Sequence, residues 1–171
     1  MLDARIETAL NEQINHELAS AYLYLSMAAH FEAENLPGSA KWMRRQSAEE
    51  QVHAMKIFDY ITDRDGRVRL QAVAQPPVEF RSTLDIWERA LAHERKVSGL
   101  IHSLYALAVE AKDYPTQALM QWFVTEQVEE EKTARSVVEQ VRRIGEASSA
   151  LFFLDRHLGK ESDEKEAEAK E

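Results

Sequence analysis

Five side chains that could bind a cation sit where a buried helix face should be apolar. The first long helical pattern runs Leu10, Ile14, Glu17, Ala21, Leu25, Ala28, and the second runs Met43, Gln46, Glu50, His53, Ile57, Tyr60. The third reads Leu84, Trp87, Leu91, Glu94, Val97, Ile101, Leu104, Ala108, and the fourth Leu119, Phe123, Gln127, Glu130, Ala134, Val137, Val141, Ile144. Each is an apolar stripe at helical spacing with a Glu near its middle. A carboxylate desolvated in a helix bundle costs several kcal/mol unless it is paired, and these stripes carry no Lys or Arg. A bound cation is the simplest remedy. A single such Glu could instead be protonated or swing to solvent, but four at one level point to a shared ligand.

Glu50 and His53 form a Glu-x-x-His pair on one helical face, a spacing that proves little alone. The specificity comes from a repeat. An offset of 77 carries His16 to His93, Glu17 to Glu94, Glu49 to Glu126, Glu50 to Gln127 and His53 to Glu130. Two helical hairpins related by a pseudo-twofold, each giving half of a two-metal site, would show this phase. Glu oxygens with a single imidazole suit iron or manganese better than a thiolate-seeking metal, with iron the first choice. Two adjacent irons bridged by flexible carboxylates can together give two electrons to dioxygen.

The elements that must position these residues follow from the breakers. With 5 Gly and 4 Pro in 171 residues, the chain reads as all-α. Breaks near Leu36–Ser39, Gly66–Ser82, Asp113–Pro115 and Gly145 predict four long helices over about 4–34, 39–64, 83–112 and 116–144, with a short fifth near 147–157. The two short connections force antiparallel neighbours, whereas residues 65–82 are long enough to run the length of a bundle and let the second and third helices point the same way. That is a ferritin-like four-helix bundle with one long crossover and a short C-terminal helix. One domain is expected over 1–159, and the acidic segment 160–171 reads as a solvated or disordered tail.

Zero Cys excludes disulfides, thiolate zinc sites and cysteine nucleophiles. A formal net charge of −9 without a basic patch argues against nucleic acid, and no 18-residue apolar run or leader pattern is present, so neither a membrane span nor export is expected. The expected location is the cytoplasm.

Three strings, Asn11-Glu12-Gln13-Ile14-Asn15-His16-Glu17, Arg44-Arg45-Gln46-Ser47-Ala48-Glu49-Glu50-Gln51-Val52-His53 and Gln121-Trp122-Phe123-Val124-Thr125-Glu126-Gln127-Val128-Glu129-Glu130-Glu131, resemble the non-haem prokaryotic (bacterial and archaeal) ferritins. The resemblance covers nearly the whole chain. It implies a ferroxidase centre with Glu17, Glu50 and His53 at one iron, Glu50 bridging, Glu94 and Glu130 at the other, and Gln127 beside the second. It also implies a hollow homo-oligomeric cage, typically of 24 subunits, that oxidises Fe(II) with dioxygen or hydrogen peroxide and stores Fe(III) as a mineral. Glu49, Glu126 and Glu129 resemble the family's third iron site on the route to the cavity. Tyr24, seven residues after Glu17 and so on the same face, could hydrogen-bond a ligand, supply an electron, or be a core tyrosine with a satisfied hydroxyl.

Two departures from relatives bear on cofactors and routes. Haem-containing bacterioferritins carry a Met beside the bridging Glu, where this chain has Gln51, and their second hairpin repeats Glu-x-x-His, where this one has Gln127 and Glu130. Haem is not expected. The stretch Thr116-Gln117-Ala118-Leu119-Met120 lacks the acidic side chains that line a threefold channel in animal-type ferritins. Two rivals stay open at this point: a di-iron peroxidase or oxygenase, and a non-catalytic helical assembly protein.

Overall fold

The computed structural model describes residues 2–145 and 148–168. Five helices, α1 (Ala4–Ala33), α2 (Pro37–Asp63), α3 (Thr83–Glu110), α4 (Tyr114–Ile144) and α5 (Ser148–Glu168), account for the regular structure. No strand occurs among the described residues. The first four form the bundle, and its direction is fixed by contacts at both ends. Arg5 at the start of α1 pairs with Glu110 at the end of α3 at 3.0 Å, while the Phe80 ring before α3 packs on His30 near the end of α1, with centroids 5.3 Å apart. The intervening crossover runs along α1. Asn11 holds both ends of a short stretch, donating to Arg67 O at 3.0 Å and accepting from Arg69 N at 2.5 Å, and Ser26 donates to Pro77 O. Helices α2 and α3 therefore run parallel, as the crossover length predicts.

Helix ends obey local chemistry. Asp3, Ser82 and Asp113 each accept a hydrogen bond from a first-turn amide of α1, α3 and α4. Asn35, Asp65 and Lys112, just beyond α1, α2 and α3, take left-handed backbone angles near +55°, so these helices stop without the glycine that usually marks such an end. Helices α2 and α4 begin about two residues before the sequence expectation because Pro37 and Pro115 lie inside their first turns, where a missing N–H costs nothing.

Leu36, at the N-cap of α2, offers no side-chain hydrogen bond. The cap comes from α5 instead. Buried Asp155 accepts from Gly38 N at 3.0 Å, Ser39 N at 2.7 Å and Ser39 Oγ at 2.8 Å, a carboxylate at the positive end of a helix. Gly38 is required for that approach, since a Cβ there would lie 1.8 Å from the carbonyl oxygen of Asp155. Gly38→Ala is thus expected to dislodge α5 and lower stability by about 2–4 kcal/mol, and Asp155→Ala by about 1–2 kcal/mol. Denaturant titration followed by circular dichroism checks both.

The expected helix near 147–157 and unstructured tail from 160 need correction. Helix α5 continues to Glu168, so residues 160–168 are helical, and 169–171 lie outside the described residues. The reason is a stripe that apolar counting overlooks: Leu154, Asp155, Leu158 and Ser162 are buried on one face, and Gly159 permits close contact with Gly38. Lys160–Glu164 and Lys165–Glu161 pairs support the outer face.

The core is interrupted. One apolar cluster holds Tyr24, Phe31, Trp42, Trp87 and Leu158, and the other holds Ile6, Leu10, Ile57, Ile101 and Phe123. Between them lies a polar layer.

Candidate metal centre

All four bundle helices contribute to that layer. Glu17, Glu50, His53, Glu94, Gln127 and Glu130 are all buried, each on the core-facing stripe of its helix. Glu17, Glu50 and His53 offer ligand atoms within 4.8 Å of one another, and His53 Nδ1 lies 3.5 Å from Glu50 Oε2. Glu94 and Glu130 reach the layer from the other hairpin without joining that tight group. Each is held by an amide.

Three glutamines tether three of the carboxylates. Gln13 donates to Glu17 Oε1 at 2.7 Å, Gln46 to Glu130 Oε2 at 2.6 Å, and Gln127 to Glu94 Oε2 at 3.2 Å. Gln127 also donates to the Glu94 carbonyl at 3.2 Å, so it locks the α3–α4 contact as well as the side chain. Tyr24, wholly buried, donates its hydroxyl to Glu94 Oε1. That hydrogen bond satisfies the hydroxyl of a core tyrosine and places it against a carboxylate of the layer. Gln13 and Gln46 carried no role in the sequence reading. For Gln13 the signal was spacing, four residues before Glu17, whereas nothing near Gln46 in the sequence points to Glu130.

The charge state of the layer follows from desolvation. Burial, then the neighbouring Glu17, Glu94 and Glu130 charges, pushes Glu50 well above the ordinary carboxylate range. Burial raises Glu94 to about 7 against the lowering hydrogen bonds from Tyr24 and Gln127. It raises Glu130 to about 8, with Glu49 and Glu94 adding repulsion. Tyr24 is raised by burial and by the adjacent Glu94. Like charges in low dielectric hold protons that water would remove.

Among the described residues six buried side-chain atoms lack a hydrogen-bond partner, and two of them, Glu17 Oε2 and His53 Nδ1, lie in the layer. Unsatisfied acceptors at such depth are rare in native proteins and call for an explanation. Both belong to the tightest ligand group, and a cation fits that donor set.

A second group lies beside the first. Glu49, His53 and Glu126 also bring ligand atoms within 4.8 Å of one another, and a cavity of about 40 Å³ opens there, lined by Glu49, Glu126, Glu129 and Glu130 among others. Glu129 is exposed at its rim rather than part of the tight group. Trp122 packs beside His53, its ring 5.5 Å from the imidazole and beneath the Lys56 ammonium. Of the histidines left without a role, His93 is accounted for by a 2.7 Å hydrogen bond with Ser20 Oγ.

Comparison with known proteins agrees with this architecture. A family model described as a ferritin-like domain matches residues 7–144. Bacterial non-heme ferritins from Bacteroides fragilis and Staphylococcus aureus are 41% and 36% identical over 159 residues, covering 93% of this chain and 99% and 96% of theirs. Among solved structures, an open pore ferritin from the hyperthermophilic archaeon Archaeoglobus fulgidus superposes with a TM-score of 0.92 at 48% identity, over 93% of this chain and 98% of that one. With a family model matched from α1 to the end of α4 and relatives matched over nearly their whole length, the chain belongs to the ferritin family.

Proposed function

We propose that this protein oxidises Fe(II) at the buried carboxylate layer and stores the Fe(III) as a mineral inside a homo-oligomeric cage, with 24 subunits the expected number and the cytoplasm the expected location. One observation carries the reading: four Glu and one His from four helices share a layer in which Glu17 Oε2 and His53 Nδ1 lack a hydrogen-bond partner. Iron is the substrate. Glu17, Glu50 and His53 would receive one Fe(II), with Glu50 shared by a second that Glu94 and Glu130 receive. Gln13, Gln46, Gln127 and Tyr24 hold the carboxylates in place as their protons leave. Each pair of Fe(II) ions gives two electrons to dioxygen or hydrogen peroxide.

The size of the site disfavours an oxygenase acting on an organic substrate. The cavity beside the layer has a volume of about 40 Å³ and an acidic lining, room for a cation and water rather than an organic substrate. A purely structural bundle would gain from apolar residues in place of these carboxylates. Exposed Phe152 and Phe153, at 56% and 69%, give α5 an apolar face for a neighbouring subunit, and Tyr22, Leu25 and Val78 form another exposed set on the bundle side.

Stopped-flow absorbance on Fe(II) addition, combined with light scattering and iron analysis, tests the reading. Hundreds of irons retained per cage support storage, whereas two per subunit with turnover of another substrate would replace it with a peroxidase or oxygenase. A stable monomer at micromolar concentration would contradict the cage.

Glu49 and Glu126 converge on His53, and Glu129 stands at the rim. Replacing all three with Ala is expected to spare oxidation of the first two irons per subunit, to change the Fe-to-oxygen ratio, and to slow later turnovers several-fold. Oxygen-electrode traces over sequential Fe(II) additions would reveal it, and an unchanged ratio through many additions would return them to ordinary surface acids.

A further inference from the structure

The last turns of α5 are aimed rather than free. Asp155 clamps the start of α2, and Gly159 lies against Gly38, so the register of α5 along α2 is fixed within one turn. Ser162 is fully buried and donates to the Leu158 carbonyl. The next residue, Asp163, pairs with Lys41 of α2. That register delivers Lys165, with Arg45 from α2, to the edge of the acidic cavity beside the metal layer, where Glu49, Glu126 and Glu129 also lie. Arg45 is committed to Glu49 at 2.9 Å. Among the described residues Lys165 has a loose contact with Glu161 at 3.8 Å and is 44% exposed, which lets its ammonium swing over the opening.

We propose that the register of α5 holds one positive charge, Lys165, over the acidic mouth of the metal layer as a cover, a tethered competitor that a multivalent cation displaces from Glu49, Glu126 and Glu129. The link to iron passage rests on the function proposed above; the cover itself rests on the register of α5. An anionic ligand is disfavoured because the cavity carries four carboxylates against Arg45 and Lys165. A mobile positive charge within a Debye length of the mouth lowers its affinity for cations, so ferric product moves on instead of lodging at the mouth.

The test uses Tb(III) as the probe on the full-length assembled protein. Trp122, adjacent to His53, can sensitise its luminescence, and loss of the signal in Glu126→Gln assigns it to the mouth. Lys165→Ala is expected to tighten Tb(III) binding roughly three- to tenfold at low salt, Lys165→Glu more, and Lys165→Arg not at all. First-turnover Fe(II) oxidation should stay within about twofold of the parent while later turnovers slow. Tb(III) affinity equal in the parent, Lys165→Ala and Lys165→Glu, at unchanged helical content, overturns the cover. Affinity that responds to Lys165 in a protein that fails to oxidise Fe(II) upholds the cover and removes the ferroxidase reading instead.

Discussion

Glu50→Gln is expected to slow rapid Fe(II) oxidation at least about a hundredfold and, in the presence of chelator, to leave the protein more stable than its parent by about 1–3 kcal/mol. The two effects have one cause. Glu50 is buried, faces the Glu17, Glu94 and Glu130 charges, and lies 3.5 Å from His53. Its proton is held by burial and repulsion, so the metal-free layer is strained wherever that proton is lost. Gln keeps the shape and removes the charge, which relieves the repulsion and forfeits a shared ligand. Glu17→Ala and His53→Ala should lose oxidation as completely, since each deletes a donor whose free atom lacks a protein partner. Stopped-flow absorbance reads the rate and thermal denaturation by circular dichroism reads stability. Parent-like oxidation in Glu50→Gln, Glu17→Ala or His53→Ala would remove the layer from the reaction.

The stripes made the bundle legible because a buried Glu among Leu, Ile and Ala is conspicuous in a 3.6-residue pattern. Glu17, Glu50, Glu94 and Glu130 were visible for that reason, and the structure buries all four in one layer. Other features escaped because their partners are distant in the chain. Nothing near Asp155 in sequence says that it caps a helix starting at Pro37, and Gly159 and Ser162 look like tail residues until Gly38 and α2 are beside them. Gln46 sat on its stripe, yet an amide there reads as tolerated polarity until Glu130, 84 residues on, accepts its N–H. Helix ends blurred where Pro37 and Pro115 act as starts and where Asn35, Asp65 and Lys112 replace the usual glycine.

Apparent stability of the metal-free protein is expected to fall as pH rises, opposite to the usual behaviour of paired carboxylates. Glu94 and Glu130 have folded-state values of about 7 and about 8 against an ordinary 4.5, both raised chiefly by burial. Between these limits the folded chain binds more protons than the unfolded one, so the slope of unfolding free energy with pH is negative. Their contribution is complete below about pH 4.5 and is lost as pH passes through about 7 and then about 8. Glu50, raised in the same direction, adds to the slope, while Tyr24 keeps its proton throughout this range because burial raises it too. The melting temperature in chelator should drop by about 5 °C or more from pH 5.5 to pH 8.5. Saturating Zn(II), which is redox-inert, should reverse the trend, because a cation at 100 times its dissociation constant stabilises by about 2.7 kcal/mol and replaces the protons. Calorimetry in buffers of different ionisation heat should therefore find more protons released per subunit at pH 6.5 than at pH 8.5, because Glu94 and Glu130 give up theirs between these limits. Proton release that does not vary with pH, together with a flat melting temperature in chelator, would mean that Glu50, Glu94 and Glu130 are already ionised in the empty layer and that something other than a metal compensates them.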